Sequence, residues 1–355
     1  MKEKDNRIKS KVGGQALIEG VMMRGPEIAA MAVRTPSGEI DLEEWNLKKQ
    51  SIWSKIPIIR GVVNFISSMV MGYSCLSKSA EKSGLEDESN EEPSKFDAWL
   101  ERTFGDKIMN IVVIIGTVLG LLFSIVLFMM VPSFAVKGIN LLVPLGGWGT
   151  AIEGVIKILI FIAYLALVAQ MKDIKRVFEY HGAEHKTIFC LEAGEALTVE
   201  NVRKQKRFHP RCGTSFLIIV LILSILVFSL PFVPWDNIFL RTLVKLALLP
   251  VIVGIGYEFI KLAGKYDNWF TKIISFPGIK LQHLTTKEPD DSQIEVAIAA
   301  IKPCIPEDEK QHLPVEMDEP IYETEQKTEI DAGQDDMTHH IIEEIEEEML
   351  DEITY

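Results

Sequence analysis

The sequence predicts a mainly α-helical, multi-pass membrane protein with four spans, a small N-terminal β-containing cytoplasmic element and a disordered acidic C-terminal tail. The longest apolar runs are concentrated between residues 108 and 260, although 25% of the chain is charged. The net charge of −13 arises at the C-terminus, because residues 305–355 contain 19 Asp/Glu and two Lys/Arg while the preceding chain sums to +4. Together these features indicate a mildly basic membrane protein that carries an acidic tail.

Four apolar segments are long enough, or nearly so, to cross about 30 Å of hydrocarbon. They are residues 108–131, 151–171, 216–233 and 238–260, within a membrane domain predicted over 107–262. The connections at 132–150 and 234–237 contain a single basic residue, Lys137, whereas the connection at 172–211 contains nine Lys/Arg. Because basic residues collect on the cytoplasmic side, this asymmetry predicts a cell-membrane protein with both termini and the His/Cys segment 172–213 in the cytoplasm.

The N-terminal residues 1–50 are predicted to form a small soluble element that is partly β. The glycine-rich stretch from Gly13 to Pro26 is more typical of tight turns or close backbone approach than of a ligand loop, because no Gly-Lys-Ser/Thr sequence follows it. Further along, Ala30–Arg34 and Glu39–Leu42 flank Pro36-Ser37-Gly38, a pattern that predicts a β-hairpin.

Residues 51–80 contain apolar side chains at helical spacing over 58–78, with basic residues at both ends. This pattern predicts an amphipathic helix on the membrane surface, with a spanning helix as the alternative. A linker is expected at 81–106, a cytoplasmic cap with a short helix over 291–302 is expected at 263–302, and the disordered acidic tail covers 303–355. The end of the tail could form an acidic helix that binds a basic protein partner. The lipid bilayer is the other expected partner, no specific nucleic acid is indicated, and the oligomeric state stays open.

The cytoplasmic connection contains the chain's densest group of metal-type ligands. His181 and His185 lie four residues apart, so a helix would place both on one face. Glu184 completes the order His-x-x-Glu-His, which is known from inverse zinc peptidases. His209 and Cys212 follow, and either could supply the third ligand. We therefore expect zinc as the cofactor and Glu184 as the catalytic base, because zinc lowers the pKa of a bound water to about 7.

Two further residues are predicted to support this site. Glu258 falls near the cytoplasmic end of the fourth span, where an ionisable group is usually paired or functional. Glu258 could pair with Arg211, orient a metal ligand or bind the metal itself, and pairing or support of a ligand is favoured over direct ligation. The alternative to a metal site is a basic loop that contacts lipid phosphates. The residues that would make those contacts are Arg203, Lys204, Lys206, Arg207 and Arg211.

Four separate motifs resemble those of the YqhQ family of bacterial multi-pass membrane proteins. The motifs are Gly13-Gly14-Gln15-Ala16-Leu17-Ile18-Glu19-Gly20-Val21-Met22-Met23-Arg24-Gly25-Pro26, Tyr180-His181-Gly182-Ala183-Glu184-His185-Lys186-Thr187, His209-Pro210-Arg211-Cys212-Gly213-Thr214-Ser215-Phe216 and Leu284-Thr285-Thr286-Lys287-Glu288-Pro289-Asp290-Asp291. The resemblance covers about residues 11–301 and leaves out the acidic tail. It implies a metal-dependent enzyme of the bacterial inner membrane and supplies no substrate.

Two functions are compatible with these patterns. In the first, the chain is a zinc-dependent hydrolase that acts at the cytoplasmic membrane interface on a peptide or lipid-linked substrate, with one coordination position left open. In the second, it is a non-enzymatic membrane scaffold or assembly factor. A metal held by His181, His185, His209 and Cys212 together would then be structural, because all four positions are filled by protein.

Overall fold

The computed structural model describes residues 10–47, 56–84, 108–229, 237–265 and 269–310, which are mainly helical with one small sheet. The chain divides into two compact units. The first unit combines residues 1–84, 172–209 and 285–355, and the second combines residues 85–171 and 210–284. The first unit is therefore assembled from three separate stretches of sequence. Most of the predicted linker 81–106 and most of the predicted acidic tail lie outside the described residues, while residues 81 and 82 belong to the end of a helix.

The sheet belongs to the first unit and has four antiparallel strands in the order β1-β2-β3-β4. The strands are β1 Gly13–Leu17, β2 Gly20–Arg24, β3 Ile28–Arg34 and β4 Ile40–Asn46. The predicted hairpin is confirmed as β3–β4. The glycine-rich stretch forms the β1–β2 hairpin, with one tight turn at Glu19, whose φ is +50°. Strands form here because alternate side chains face two different buried layers.

The helices of the described residues follow in chain order. They are α1 Ile59–Lys82, α2 Ile108–Ile125, α3 Val131–Leu142, α4 Gly149–Val168, α5 Lys172–Glu192, α6 Val199–Lys204, α7 Gly213–Phe228, α8 Ile238–Lys265, α9 Trp269–Thr285, α10 Asp291–Ile301 and α11 Glu307–Lys310. The short helix predicted over 291–302 corresponds to α10, which begins with a capping box between Asp290 and Gln293.

Helices cover both faces of the sheet. On one face, Leu17, Met22 and Met31 are buried together with Cys75 of α1. On the other face, Val21 and other strand residues form a larger core with α5, α6 and α10. Because α5 lies in this second layer, its side chains are fixed by the sheet on one side and by α10 on the other.

Helix α1 turns its small residues toward the sheet and its large apolar residues outward. Gly72 and Cys75 are buried, whereas Met69 and Tyr73 are 60% and 61% exposed. A Cβ atom at Gly72 would lie 2.5 Å from Oε1 of Gln15, so a larger residue here would displace the end of the Gln15 side chain. The helix predicted over 58–78 is confirmed, with an outward apolar face.

The start of the predicted tail packs on the first unit. Cys304 and Ile305 are buried in the core shared by the sheet and α10. Glu309 accepts hydrogen bonds from Oγ of Ser10 at 2.8 Å and from the main-chain nitrogen of Lys11 at 3.0 Å. Residues 302–310 fold with this unit because the apolar side chains of Cys304 and Ile305 enter its core. The strongly acidic part of the tail begins only after residue 305.

The second unit consists of apolar helices. Helix α2 continues through a π-helical turn (Val126–Met130) into α3, so the connection predicted at 132–150 is largely helical. Pro132 lies directly after the π-helical turn, and its missing N–H removes one hydrogen bond from the continuous helix at this junction. Small residues allow close helix packing, since a Cβ atom at Gly154 would lie 2.7 Å from Ile225.

Among the described residues, four helices are long and apolar enough to cross a membrane, which indicates a membrane protein. They are Ile59–Lys82, Ile115–Leu142, Gly149–Val168 and Ile238–Leu262. This set differs from the sequence prediction at two places. Helix α1 meets the length and composition of a span, and the predicted span 216–233 is the shorter apolar helix α7, of 16 residues.

Candidate functional site

Helix α5 carries the central residues of the predicted site. Its second half, from Gly182 to Glu192, is buried inside the first unit. His181 and His185 project from one face, and their ring centroids are 4.4 Å apart. The helix therefore places the two imidazoles as close together as their spacing of four residues predicts.

Main-chain carbonyl groups orient both imidazole rings. Nδ1 of His181 donates a hydrogen bond to the carbonyl oxygen of Thr285 at 2.8 Å, and Nδ1 of His185 donates to that of Arg207. Since a carbonyl oxygen only accepts, Nδ1 carries the hydrogen in each ring, and the neutral ring keeps its lone pair on Nε2. Histidines that bind metals are commonly oriented by this kind of hydrogen bond.

Glu184 lies between the two histidines and is 5% exposed. Its Oε2 atom is 3.8 Å from Nε2 of His181. Burial raises the pKa of the Glu184 carboxyl, against the opposing effects of His181, His209 and a hydrogen bond from the main chain of Gly14. A carboxyl group with a raised pKa is suited to general-base catalysis, because it can take up and return a proton closer to neutral pH.

Two glycines allow the main chain to approach α5 closely. A Cβ atom at Gly14 would lie 2.8 Å from Cγ of Glu184, and a Cβ atom at Gly182 would lie 2.0 Å from the carbonyl oxygen of Lys287. The main-chain nitrogen of Lys287 donates to the carbonyl of Phe178 at 2.8 Å. This contact holds residues 285–287 against α5, where Thr285 orients His181.

His209 lies next to the histidine pair and is also buried. Its ring centroid is 5.7 Å from that of His185, and its Nε2 atom is 3.5 Å from Oε2 of Glu192. Burial lowers the pKa of His209 to about 4, although Glu184 has the opposite effect. The ring is therefore neutral at pH 7, which is the state that a metal ligand needs.

The remaining predicted site residues belong to the second unit. Cys212 precedes α7, and its sulfur accepts a hydrogen bond from the main-chain nitrogen of Thr214 at 3.5 Å. Arg211 lies beside it in sequence, and Glu258 is half-buried in α8. Ligation by Cys212 and support from Arg211 and Glu258 stay predictions.

Several cations of the alternative lipid-binding loop pair with carboxylates of their own unit. Arg203 donates to Asp291 at 2.8 Å, Lys204 to Glu200 at 2.7 Å and Arg207 to Glu288 at 3.4 Å. Carboxylates thus balance the positive charge of three of the five basic residues of that loop. The same contacts connect residues 203–207 to α6, to α10 and to the residues before α10. They favour a structural role for this part of the loop.

Sequence reasoning missed the groups that orient the site. The carbonyls of Thr285 and Arg207 and the main-chain nitrogen of Gly14 have no chemical signature in a sequence, because every residue carries the same backbone. One feature of the sequence did indicate where these orienting groups lie. Gly14, Thr285 and the two histidines fall in three of the four motifs on which the family resemblance rests, and α5 is where those motifs meet.

Comparisons with known proteins identify relatives of the chain. A family model described as "Protein of unknown function (DUF1385)" matches residues 56–307. The chain is 39% identical over 293 residues to "Uncharacterized protein YqhQ" of Bacillus subtilis (strain 168), and this match covers 81% of the chain and 89% of the relative. No solved structure matches the chain.

Proposed function

Because the chain belongs to the YqhQ family of proteins of unknown function, DUF1385, we propose its function from the geometry of α5. We propose a zinc-dependent hydrolase that acts at the cytoplasmic interface of the cell membrane on a peptide or lipid-linked substrate. In this proposal both termini are cytoplasmic. His181 and His185 are metal ligands, His209 or Cys212 supplies the third ligand, and Glu184 is the general base.

One observation carries this proposal. The Nδ1 atoms of His181 and His185 are both bound to main-chain carbonyls, so both rings offer Nε2 lone pairs from one helix face. The Nε2 atom of His181 lies 3.8 Å from a carboxyl oxygen of Glu184. A lone pair and a carboxylate oxygen repel each other, so this arrangement needs a proton on Glu184, a second proton on the His181 ring or a cation nearby.

The protein groups have distinct roles in this hydrolase. Zinc would polarise a water molecule or a substrate carbonyl. Glu184 would take a proton from the attacking water and return it to the leaving group, and the Gly14 N–H would orient its carboxyl. Thr285 and Arg207 would keep the imidazoles in the tautomer that ligates a metal. Cys212 follows His209 by three residues, so chain geometry keeps the two within about 11 Å of each other.

The apolar helices support a membrane-proximal substrate. The outward face of α1 bears exposed large apolar residues, and three further helices satisfy the length of a span. The excess of basic residues in 172–211 favours the cytoplasmic side for the site. A substrate that lies in the membrane or is attached to it would meet both the apolar surface and the histidines.

The burial of the site favours a second candidate, which is a membrane scaffold or assembly factor with a structural metal. His185 is 1% exposed and His209 is 5% exposed. Such burial is typical of structural metal sites, in which protein ligands close the coordination sphere. In this case the acidic tail would bind a basic protein partner, and Glu184 would have no proton to transfer.

The substitution Glu184→Gln distinguishes the two candidates. We would reconstitute the wild-type chain in vesicles with zinc, present membrane-anchored peptides and phospholipid esters, and measure hydrolysis products by mass spectrometry. The hydrolase predicts products with the wild type and a loss of about a hundredfold or more with Glu184→Gln at unchanged zinc content. Glu200→Gln is the matched control, because Glu200 is an exposed carboxylate of the same unit.

Two results would reject the hydrolase. One is an equal rate for the wild type and for Glu184→Gln. The other is loss of zinc or of folding in Glu184→Gln, which would assign Glu184 to a structural site. An absence of products with every substrate, at full zinc occupancy, would favour the scaffold.

A further inference from the structure

The second unit contains a buried cluster of charges that the proposed hydrolase does not use. Glu153 of α4 pairs with Arg241 and Lys245, one turn apart on α8. It also accepts a hydrogen bond from Oγ of Ser133 on α3 at 2.8 Å. Glu153 is 6% exposed, and Arg241 and Lys245 are each 3% exposed. Three helices therefore meet at one carboxylate.

A third cation extends this cluster. Lys157 lies one turn after Glu153 on α4, and its ammonium is 3.4 Å from Oγ of Ser224. The same ammonium is 5.4 Å from the ring centroid of Phe228, and that of Lys245 is 5.5 Å from it. The ring of Phe228 thus lies close to two ammonium groups. Aromatic contacts of this kind stabilise a cation without neutralising it.

The cations outnumber the carboxylates in this region. The sequence of 108–171 and 213–265 contains Lys137, Lys157, Arg241, Lys245, Lys261 and Lys265 against Glu153, Asp236 and Glu258. Asp236 lies outside the described residues, and the excess remains when it is counted. Uncompensated positive charge among apolar helices is strongly unfavourable, and ionisable groups retained there usually bind something.

A cavity of about 510 Å³ opens beside the cluster. Thr150 and Ser229 contribute hydroxyl groups to its lining, and Trp148, Ile225 and Leu226 contribute apolar surface. Thr150 precedes Glu153 by one turn, and Ile225 packs against Gly154. The cavity and the cluster therefore share neighbouring turns of α4 and α7. Its mixed lining is suited to an amphiphile.

We propose that the charge cluster binds the phosphate group of an anionic phospholipid, which enters through the adjacent cavity. The excess cations supply the charge complementarity. Glu153 holds Arg241 and Lys245 in place, and Lys157 is the cation that remains for the phosphate. This lipid site and the proposed hydrolase have one assumption in common, which is that the chain is inserted in a membrane. Its residues belong to the other unit, and its test needs no zinc, so the two proposals can fail separately.

Lys157 is the residue to vary. Removing Arg241 or Lys245 would disrupt buried ion pairs and endanger folding. Lys157→Gln leaves both pairs intact, and Lys157→Arg retains the positive charge. Lys137 is an exposed lysine of the same unit, so Lys137→Gln is the matched control for a general loss of charge.

The experiment uses the full chain, purified in a neutral detergent. Native mass spectrometry and thermal unfolding are measured with phosphatidylglycerol, phosphatidylcholine and inorganic phosphate. Phosphatidylglycerol should bind and raise Tm, whereas phosphatidylcholine should do neither. Lys157→Gln should weaken phosphatidylglycerol binding about tenfold or more, as expected for loss of one charge-assisted contact. Lys157→Arg and Lys137→Gln should bind within about threefold of the wild type.

Each other outcome contradicts the proposal. Equal binding of the two lipids would show that the net negative charge of the headgroup is not recognised. Unchanged phosphatidylglycerol binding in Lys157→Gln would remove Lys157 from the site. If inorganic phosphate raised Tm and phosphatidylglycerol did not, the ligand of the cluster would be a soluble anion and not a lipid.

Discussion

At the residue scale, the candidate site depends on glycines as much as on its ionisable side chains. Gly182 lies between His181 and Glu184 on α5, and the carbonyl of Lys287 occupies the space that a Cβ atom would need. No side-chain movement can relieve this overlap, because the opposing atom belongs to the main chain. A methyl group at residue 182 would therefore push the segment that contains Thr285 away from His181.

We predict that Gly182→Ala destabilises the chain by about 1–3 kcal/mol, the usual range for an overpacked core. The matched control is Gly120→Ala in α2, where a Cβ atom would meet nothing within 4 Å. That substitution should be neutral or stabilising by up to about 1 kcal/mol, because alanine favours helix. Thermal unfolding of both variants checks the prediction. Equal stability of Gly182→Ala and the wild type would contradict the close approach.

The grouping of His181, Glu184 and His185 could be predicted from sequence because helical spacing converts residue numbers directly into geometry. Their orientation could not be predicted. The carbonyl that orients His181 is 104 residues away along the chain. A main-chain group is the same in every residue, so only the folded structure reveals which one is used. The acidic partners of Arg203 and Arg207 were not foreseen either, because they lie 88 and 81 residues away along the chain.

At the element scale, α1 combines a buried small-residue face with an exposed apolar face. Lys82 at its end pairs with Asp41 of β4 at 2.6 Å, and Lys78 lies 3.4 Å from Glu43. Two interpretations of α1 are possible. As a helix packed on a sheet, it can lie on the membrane surface; with 24 residues, it is also long enough to span the membrane. We favour the surface helix because the sheet covers one of its faces.

This interpretation predicts that both ends of α1 lie on the cytoplasmic side. Single cysteines introduced as Ile59→Cys and Glu81→Cys should both react with a membrane-impermeant maleimide only when it is added to the cytoplasmic face of oriented vesicles. The wild-type chain is the control, because Cys75, Cys190, Cys212 and Cys304 are buried. Reaction of the two cysteines from opposite faces would identify α1 as a span.

The elements differ in how far the sequence predicts them. The β3–β4 hairpin was predictable because a turn sequence separates two alternating apolar runs. The continuation of α2 into α3 was not, since Pro132 removes a hydrogen bond inside a helix and therefore resembles a helix end. The length of α7 was also overestimated, because an apolar run contains no signal for where a helix ends.

At the scale of the whole molecule, the first unit is built from three stretches of chain that the second unit separates. This arrangement explains why motifs far apart in sequence meet on α5. It also implies that residues 302–310 belong to the folded unit, because Cys304 and Ile305 are buried and Glu309 binds Ser10.

Two truncations test this assignment. A chain that ends after residue 310 should unfold at the wild-type temperature, because every contact described in the first unit is retained. A chain that ends after residue 301 should lose about 2–4 kcal/mol of stability, given the apolar area of Cys304 and Ile305 and the hydrogen bonds that Glu309 accepts from Ser10 and Lys11. Thermal unfolding in detergent measures both. Equal Tm values for the two truncations would contradict the inclusion of 302–310 in the unit.

The central claim is a zinc site built on α5, and its most direct test is the zinc content of the purified full-length chain. We predict about one zinc per chain for the wild type, as expected for a single site. Zinc should be lost in the double variant His181→Ala/His185→Ala and retained in His283→Ala, whose histidine lies on α9. A wild-type chain without zinc, or zinc retained in the double variant, would contradict the account.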